Sequence, residues 1–159
     1  SASSRKDPRK GRHAVMRGCL IFLTLAMFVI AAYSPGTQKA QAAVQDSSEI
    51  YQNVYNGYKW WHVYCYRCHG QNAIGTTLAP NLTDPDLKLS LPEFLRKVRN
   101  GSPEKGMQAW DKLLDDKQIT QLYYYVIARA EKVLPPGRPD EVGPNACRWI
   151  PPQGWPKSK

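Results

Sequence analysis

Two cysteines and a histidine occupy five consecutive residues in the stretch Cys65-Tyr66-Arg67-Cys68-His69. A Cys-x-x-Cys pair serves as a redox dithiol, as half of a zinc site or as a cofactor attachment point. Zinc needs four nitrogen or sulfur ligands, and residues 43–159 add only His62 and Cys147. A redox dithiol usually lies at a helix N-terminus, where the thiol pKa is lowered, whereas this pair ends a helical pattern. Zinc and the dithiol remain the minor alternatives.

The histidine after the second cysteine favours cofactor attachment, because Cys-x-x-Cys-His is the attachment sequence of c-type haem. Residues three apart on a helical turn face the same way. The sulfurs of Cys65 and Cys68 can therefore both reach the vinyl groups on one edge of a porphyrin. The imidazole of His69 then supplies an axial ligand to the iron. The sequence predicts one covalently attached haem c.

Met107 is the candidate for the second axial ligand, because it is the only methionine in residues 43–159. It lies in residues 100–110, a loop-like stretch with two glycines and one proline. Ligation by histidine and methionine raises the reduction potential and closes the iron to small molecules. This ligand pair favours electron transfer over catalysis. His62, three residues before Cys65 on the same predicted helix, is interpreted as structural.

The elements that position these residues follow a leader. Residues 1–42 contain a basic region, an apolar run over residues 19–32, and the sequence Ala40-Gln41-Ala42 before Ala43. This order is typical of an export signal with a small-residue cleavage site, and the apolar run is shorter than the about 20 residues that span a bilayer. We predict a mature chain that begins near Ala43, with Met16 as a candidate start of translation. An uncleaved membrane anchor is the alternative.

Most of the positive charge belongs to this leader. Its seven basic residues and one acidic residue account for +6 of the net charge of +9, which leaves +3 for residues 43–159. A nucleic-acid-binding surface requires clustered lysine and arginine. The best cluster in the mature domain is Arg96, Lys97 and Arg99 on one predicted helix, which we interpret as a solvated face or a weak docking patch. We therefore expect no nucleic-acid partner.

Three helices are predicted in the mature chain. Ser47 or Ser48 caps the first, whose aromatic residues recur at helical spacing until the cysteine motif ends it at Gly70. Residues 70–89 have little periodicity and are predicted to be a loop over the haem. Ser90 begins a short helix through Val98, and Asp115 or Asp116 begins a last helix to Lys132.

Residues 134–159 contain seven of the thirteen prolines and are predicted to form an extended Pro-rich C-terminal tail. Trp149, Ile150 and Trp155 indicate that this tail lies against an apolar surface of its own domain or of a partner. The predicted organisation is a leader over 1–42, a haem domain over 43–133 and the tail over 134–159. A domain of this size buries a limited core, so the porphyrin is expected to supply much of its apolar centre.

The mature chain resembles class I cytochrome c. Gly57 and Trp61 match the glycine and the aromatic residue at which that family's first and last helices cross. Tyr124 resembles the aromatic residue that packs into the crossing, with Tyr123 and Tyr125 as alternatives. The resemblance implies an all-α fold of three to four helices around one covalently bound haem.

The resemblance extends to the two sides of the iron. Pro80-Asn81-Leu82 resembles the family's Pro-x-Leu, in which the proline carbonyl accepts a hydrogen bond from the proximal imidazole. Such a bond orients the ring and tunes the ligand. Met107 falls where the family's axial methionine lies, although Gln108 replaces the proline that often follows it. The resemblance thus implies that Cys65, Cys68 and Pro80 hold the cofactor and that His69 and Met107 ligate the iron.

The first helix, residues 127–139 and the tail look similar to small cytochromes associated with PQQ-dependent methanol and alcohol dehydrogenases. This likeness implies an electron-transfer protein rather than an enzyme, exported to the periplasm. It would receive electrons from such a dehydrogenase and pass them toward a terminal oxidase or another cytochrome, touching the membrane only transiently unless the leader is retained. The alternatives are a cytochrome subunit of a larger respiratory or dehydrogenase complex and, against the evidence of Met107, a haem peroxidase or gas sensor. Cys147 is left free or forms an intermolecular disulfide.

Overall fold

The computed structural model describes residues 35–87 and 89–156, with side chains from residue 46 onward. Its four α-helices are α1 (Pro35–Tyr64), α2 (Tyr66–His69), α3 (Leu91–Asn100) and α4 (Asp116–Ala130). Single 3₁₀ turns occur at Pro103–Lys105 and Pro144–Ala146. No β-strand occurs in these described ranges, so the predicted all-α class is confirmed.

The chain divides into two units between residues 43 and 44. Only the main chain of residues 35–43, the beginning of α1, is described for the first unit. Residues 1–34 of the predicted leader (1–42) lie outside the described residues. In the part of the chain that the structure covers, no helix combines the length and the apolar character needed to cross a membrane.

Helix α1 begins at Pro35, twelve or more residues before the predicted caps Ser47 and Ser48. Proline suits the first turn of a helix because its φ is already helical and its missing N–H needs no partner. The alanines at positions 40, 42 and 43 then favour continuation of the helix. The predicted start was wrong because a capping serine is compatible with a helix that simply continues through it.

Helices α1 and α4 cross at Gly57. A Cβ atom on Gly57 would lie 1.9 Å from the carbonyl oxygen of Gln121 and 3.0 Å from the Cβ of Tyr125, so only glycine permits this approach. Tyr125 is fully buried, and its ring packs 5.7 Å from that of Trp61. Tyr125, not Tyr124, therefore fills the crossing. Tyr124 lies one residue away on the helix, partly exposed beside the ring of Trp155.

Helices α3 and α4 pack against each other, and both begin close to the predicted caps. The carboxylate of Glu93 accepts hydrogen bonds from the hydroxyl and the N–H of Ser90 at 2.6 and 3.4 Å. Asp115 accepts a bond of 2.7 Å from the N–H of Gln118. These local bonds satisfy N–H and side-chain groups that the first helical turn leaves open. The predicted starts at Ser90 and Asp115 are confirmed.

The segment after α4 packs onto its own domain. Trp149 and Trp155 are 4% and 5% exposed, and their rings contact each other edge to face. The Trp149 indole donates to the carbonyl of Val133 at 2.9 Å, and the Trp155 indole donates to the Glu131 carboxylate at 2.7 Å. Ile150, in contrast, is 68% exposed. The prediction of an apolar surface under the tail is correct for the two tryptophans and wrong for Ile150.

Candidate haem site

The cysteine motif forms a separate turn after α1. Helix α1 ends at Tyr64, and α2 begins one residue after Cys65. The N–H groups of Cys68 and His69 both donate to the carbonyl of Cys65, at 3.2 and 3.0 Å. Gly70, with φ of +79°, then turns the chain away, a conformation that favours glycine. The motif therefore forms a helical turn, in which Cys65 and Cys68, three residues apart, face the same way.

The Cys65 thiol does not have the electrostatics of a reactive redox thiol. Burial, together with the smaller effect of the neighbouring Cys68, raises the pKa of the Cys65 thiol to about 12. A reactive dithiol instead needs a cysteine whose pKa is lowered. Cys65, Cys68 and the exposed Cys147 form no disulfide with one another. The raised pKa of Cys65 is the observation that disfavours the dithiol alternative.

His69 has one ring nitrogen engaged and one left for a ligand. Its Nδ1 lies 3.1 Å from the carbonyl oxygen of Pro80, eleven residues later in the chain. Because the carbonyl can only accept, this bond requires the proton on Nδ1 and leaves Nε2 with a free lone pair. Metal-binding histidines commonly donate their other ring N–H to such an oxygen. The arrangement fits a proximal histidine.

The loop between His69 and Pro80 is folded back onto the motif by hydrogen bonds. Gly75 N–H donates to the carbonyl of His69 at 2.8 Å, and the Thr76 hydroxyl donates to the carbonyl of Cys68. Leu82 N–H donates to the carbonyl of Ala73 at 2.9 Å. These bonds return the chain so that Pro80 meets His69. Sequence reasoning missed Thr76, because no local pattern indicates a bond to a carbonyl eight residues earlier.

Helix α4 contributes a second support for this loop. The hydroxyl of Tyr125 donates to the carbonyl of Gln71 at 3.2 Å. Burial raises the pKa of the Tyr125 hydroxyl, so it stays protonated and remains a donor. The ring of Trp61, which Tyr125 contacts, lies 5.9 Å from the ring of His69. The helix crossing is thus in direct contact with the histidine and its loop.

Met107 is held in a tight turn of its own. Ser102 N–H donates to the Met107 carbonyl at 2.8 Å, and Met107 N–H donates to the Ser102 carbonyl at 3.1 Å. Met107 is partly buried and packs against the apolar core. Three residues later, the ring of Trp110 contacts that of Tyr64, the residue before Cys65, at 5.2 Å. The motif, His69 and Pro80 form one connected unit, and the turn of Met107 is joined to it through Trp110.

Among the described residues, the side chain of His62 contacts the motif only through the ring of Tyr66 and makes no hydrogen bond or ring contact with His69 or Pro80. Its Nδ1 contacts the carbonyl of Tyr58 on its own helix at 2.9 Å, and its ring stacks on Tyr66. Its Nε2 is buried and has no hydrogen-bond partner among the described residues. These contacts with its own helix and with the ring of Tyr66 agree with the structural role interpreted from sequence.

The donor set and its surroundings fit a haem better than a bare metal ion. Within residues 35–87 and 89–156, no three histidine, cysteine, aspartate or glutamate side chains are grouped as they would be around a metal. Large apolar side chains are exposed in the loop after the motif and after Trp110: Ile74 by 58%, Leu78 by 71% and Leu113 by 57%. Covering apolar side chains of this size with an apolar partner would be favourable. A porphyrin attached at Cys65 and Cys68 would be such a partner.

Comparison with known proteins gives similarities to cytochromes. The family model described as cytochrome C oxidase, cbb3-type, subunit III matches residues 52–126. Cytochrome c-555 of Methylococcus capsulatus is 32% identical over 102 residues, which cover 62% of this chain and 80% of that protein. Cytochrome c-553I of Paracoccus denitrificans is 30% identical over 93 residues, which cover 54% of this chain and 41% of that protein.

One solved structure is similar as well. The crystal structure of the c-type cytochrome XoxG from Methylobacterium extorquens AM1 matches with a TM-score of 0.50 and 34% identity. The match covers 55% of this chain and 56% of that one. The present chain therefore spans less than half of cytochrome c-553I and just over half of XoxG.

Proposed function

The chain belongs to the monohaem class I c-type cytochromes, which carry haem c covalently, and from this premise we propose that it is a periplasmic one-electron carrier. Its electrons would come from a PQQ-dependent methanol or alcohol dehydrogenase and pass toward a terminal oxidase. The observation that carries the proposal is the hydrogen bond between His69 Nδ1 and the Pro80 carbonyl. This bond prepares one ring nitrogen of the motif histidine for permanent ligation.

When bound, haem c supplies an iron that alternates between Fe(III) and Fe(II). The sulfurs of Cys65 and Cys68 would hold the cofactor, and the Nε2 of His69 would ligate the iron. The Pro80 carbonyl would keep the imidazole in one orientation and strengthen its electron donation. Fixed ligands of this kind suit electron transfer because little has to move when one electron arrives or leaves.

The thioether of Met107 would be the sixth ligand. The hydrogen bonds with Ser102 fix the turn that presents it. The Lys97 ammonium donates to the Ser102 hydroxyl at 3.2 Å, so a positive charge also lies beside this turn. A permanently bound methionine closes the iron to small molecules and raises the reduction potential. This assignment speaks against a peroxidase or a gas sensor.

The proposed donor and location derive from the sequence. The first helix, residues 127–139 and the C-terminal segment resemble cytochromes associated with PQQ-dependent dehydrogenases. The order of features in residues 1–42 is that of an export signal, and c-type haem is expected to be attached after export. A second candidate is a cytochrome subunit of a larger complex, which the description of the matching family model favours.

Absorption spectra of the purified holoprotein test the carrier function. A low-spin c-type spectrum, with the weak ferric band of a methionine sulfur ligand and no response to carbon monoxide, is the expected result. A high-spin spectrum that shifts with carbon monoxide would instead indicate a catalytic or sensing haem. The size of the purified particle and its N-terminal residue separate a free carrier from a bound subunit.

A further inference from the structure

Arg129 is a partly buried cation whose hydrogen bonds go to main-chain oxygens. It lies near the end of α4. Its Nη1 donates to the carbonyl of Leu134 at 2.6 Å, and its Nε makes a longer contact of 3.5 Å to the carbonyl of Asn72. Burial lowers its pKa below the ordinary value, and the nearby Tyr125 opposes this effect. The Arg129 guanidinium exchanges contact with water for hydrogen bonds to two carbonyls. Because its planar N–H groups donate in fixed directions, these bonds restrain the positions of the segments that carry the carbonyls.

The two carbonyls belong to segments that are far apart in sequence. Leu134 begins the C-terminal segment, whereas Asn72 lies three residues after His69 in the loop over residues 70–80, the proximal loop. A second bond joins the same segments, because Gly137 N–H donates to the Asn72 side-chain oxygen at 3.3 Å. Asn72 is thus held through its main chain by α4 and through its side chain by the C-terminal segment.

From Asn72 the contacts continue to the ligand. The next residue, Ala73, is fully buried with φ of +63°, in the left-handed region that a residue with a Cβ seldom adopts. Its carbonyl accepts from Leu82 N–H, which fixes the return of the loop two residues after Pro80. The Pro80 carbonyl then meets His69 Nδ1. The bonds that restrain Asn72 therefore help to keep Ala73 in its unfavourable left-handed conformation. This conformation in turn positions Pro80 beside His69.

We propose that Arg129 is a positioning residue for His69: by clamping the proximal loop to the C-terminal segment, it holds the Pro80 carbonyl against the imidazole and so helps to set the reduction potential. The inference rests on the proposed role of His69 as the iron ligand. A well-aligned bond to Pro80 makes the imidazole a better electron donor and favours Fe(III). Loosening the clamp should therefore weaken that bond and raise the reduction potential.

The substitution Arg129→Lys separates positioning from charge. Lysine keeps the positive charge but lacks the planar fork that reaches two carbonyls in different directions. If Arg129 acted only through its charge, Arg129→Lys would leave the potential unchanged and Arg129→Gln would lower it. If it acts by positioning, Arg129→Lys should raise the potential. Asn72→Ala, which removes the acceptor of Gly137 N–H, should shift the potential in the same direction.

The experiment uses the holoproteins of wild type, Arg129→Lys, Arg129→Gln and Asn72→Ala. The matched controls Arg96→Lys and Arg96→Gln change the same residue type at an exposed position of α3. Redox titration gives the potential, and proton NMR of the ferric proteins gives the haem methyl shifts that report ligand orientation. Hydrogen exchange at Leu82 N–H monitors the loop independently of the iron.

In Arg129→Lys we expect a raised potential, altered methyl shifts and exchange at Leu82 about tenfold faster, the size of effect expected when a charge-assisted bond is lost. Both Arg96 controls should stay close to wild type. Unchanged potential and unchanged Leu82 exchange in Arg129→Lys would overturn the proposal, whether or not Arg129→Gln folds. Failure of the proposed carrier function would instead appear in the wild-type protein, as an iron open to carbon monoxide.

Discussion

The indole Nε1 of Trp61 donates a 3.0 Å hydrogen bond to the carbonyl of Gly70, the residue that directly follows the motif histidine. Trp61 is 1% exposed and lies on α1 four residues before the first motif cysteine. The same side chain therefore packs in the crossing of α1 with α4 and fixes the turn at which the proximal loop leaves the motif. A phenylalanine or tyrosine there would provide the ring without this bond.

Trp61→Phe should lower the free energy of unfolding by about 1–3 kcal/mol, because it loses a buried hydrogen bond and leaves a small cavity. Denaturant unfolding of the holoprotein measures the change. Val63→Ala, on the same helix but 59% exposed, serves as the control and should stay within about 0.5 kcal/mol of wild type. Equal stability of Trp61→Phe and wild type would show that the bond to Gly70 contributes nothing.

Gly57→Ala should destabilise the fold by about 1–3 kcal/mol or more, because the added methyl group would meet the backbone of Gln121 at 1.9 Å. The collision involves main-chain atoms, so α1 and α4 would have to move apart. Thermal unfolding measures the loss, with Gln52→Ala at an exposed position of α1 as the control. A melting temperature of Gly57→Ala close to that of the control would contradict the close crossing.

Met107→Ala should open the iron to carbon monoxide and lower the reduction potential, because the proposed thioether ligand is removed. Gln108→Ala, at the exposed neighbouring position, is the matched control and should retain the closed iron. Carbon monoxide difference spectra and redox titration give the two readouts. Unchanged potential and unchanged carbon monoxide binding in Met107→Ala would refute the ligand assignment.

Trp149→Ala should lower the free energy of unfolding by about 3–5 kcal/mol, because a buried indole and its bond to Val133 are lost. The adjacent Ile150→Ala should have almost no effect, since Ile150 is 68% exposed. Denaturant unfolding of both variants compares two neighbouring tail residues directly. Similar small effects for the two would mean that the C-terminal segment is not part of the folded domain.

Ser90→Ala should raise the pKa of Glu93 back toward its ordinary value of 4.5. Hydrogen bonds from the hydroxyl and the N–H of Ser90 lower this pKa in the folded protein. Because the folded pKa lies below the unfolded one, the contribution of this cap is complete above about pH 4.5 and is lost as the pH falls through the lowered value. NMR titration of the Glu93 carboxyl follows the change. An identical titration curve in Ser90→Ala would exclude the cap as its cause.

Sequence patterns identified those features that depend on a few neighbouring residues. The starts of α3 and α4 follow from the caps Ser90 and Asp115, since a cap bonds to groups within three residues of it. The start of α1 at Pro35 was missed because the residues around Ser47 and Ser48 are compatible both with a helix that begins there and with a helix that passes through them.

Local sequence patterns do not predict which tyrosine packs in the crossing of α1 with α4. Tyr123, Tyr124 and Tyr125 are consecutive, and successive residues of a helix point about 100° apart. Only the rotation of α4 against α1 decides which of them faces Gly57, and this rotation depends on all the contacts along the crossing. The structure selects Tyr125.

The sequence by itself determined the attachment chemistry, because Cys65, Cys68 and His69 lie within one helical turn, and it determined the helical class through periodicity and caps. Tertiary structure alone decided where the C-terminal segment lies and how Arg129 reaches both Asn72 and Leu134. The physical reason is range: spacing along the chain dictates contacts within a turn, whereas a bond between residues 57 positions apart exists only after the helices have packed.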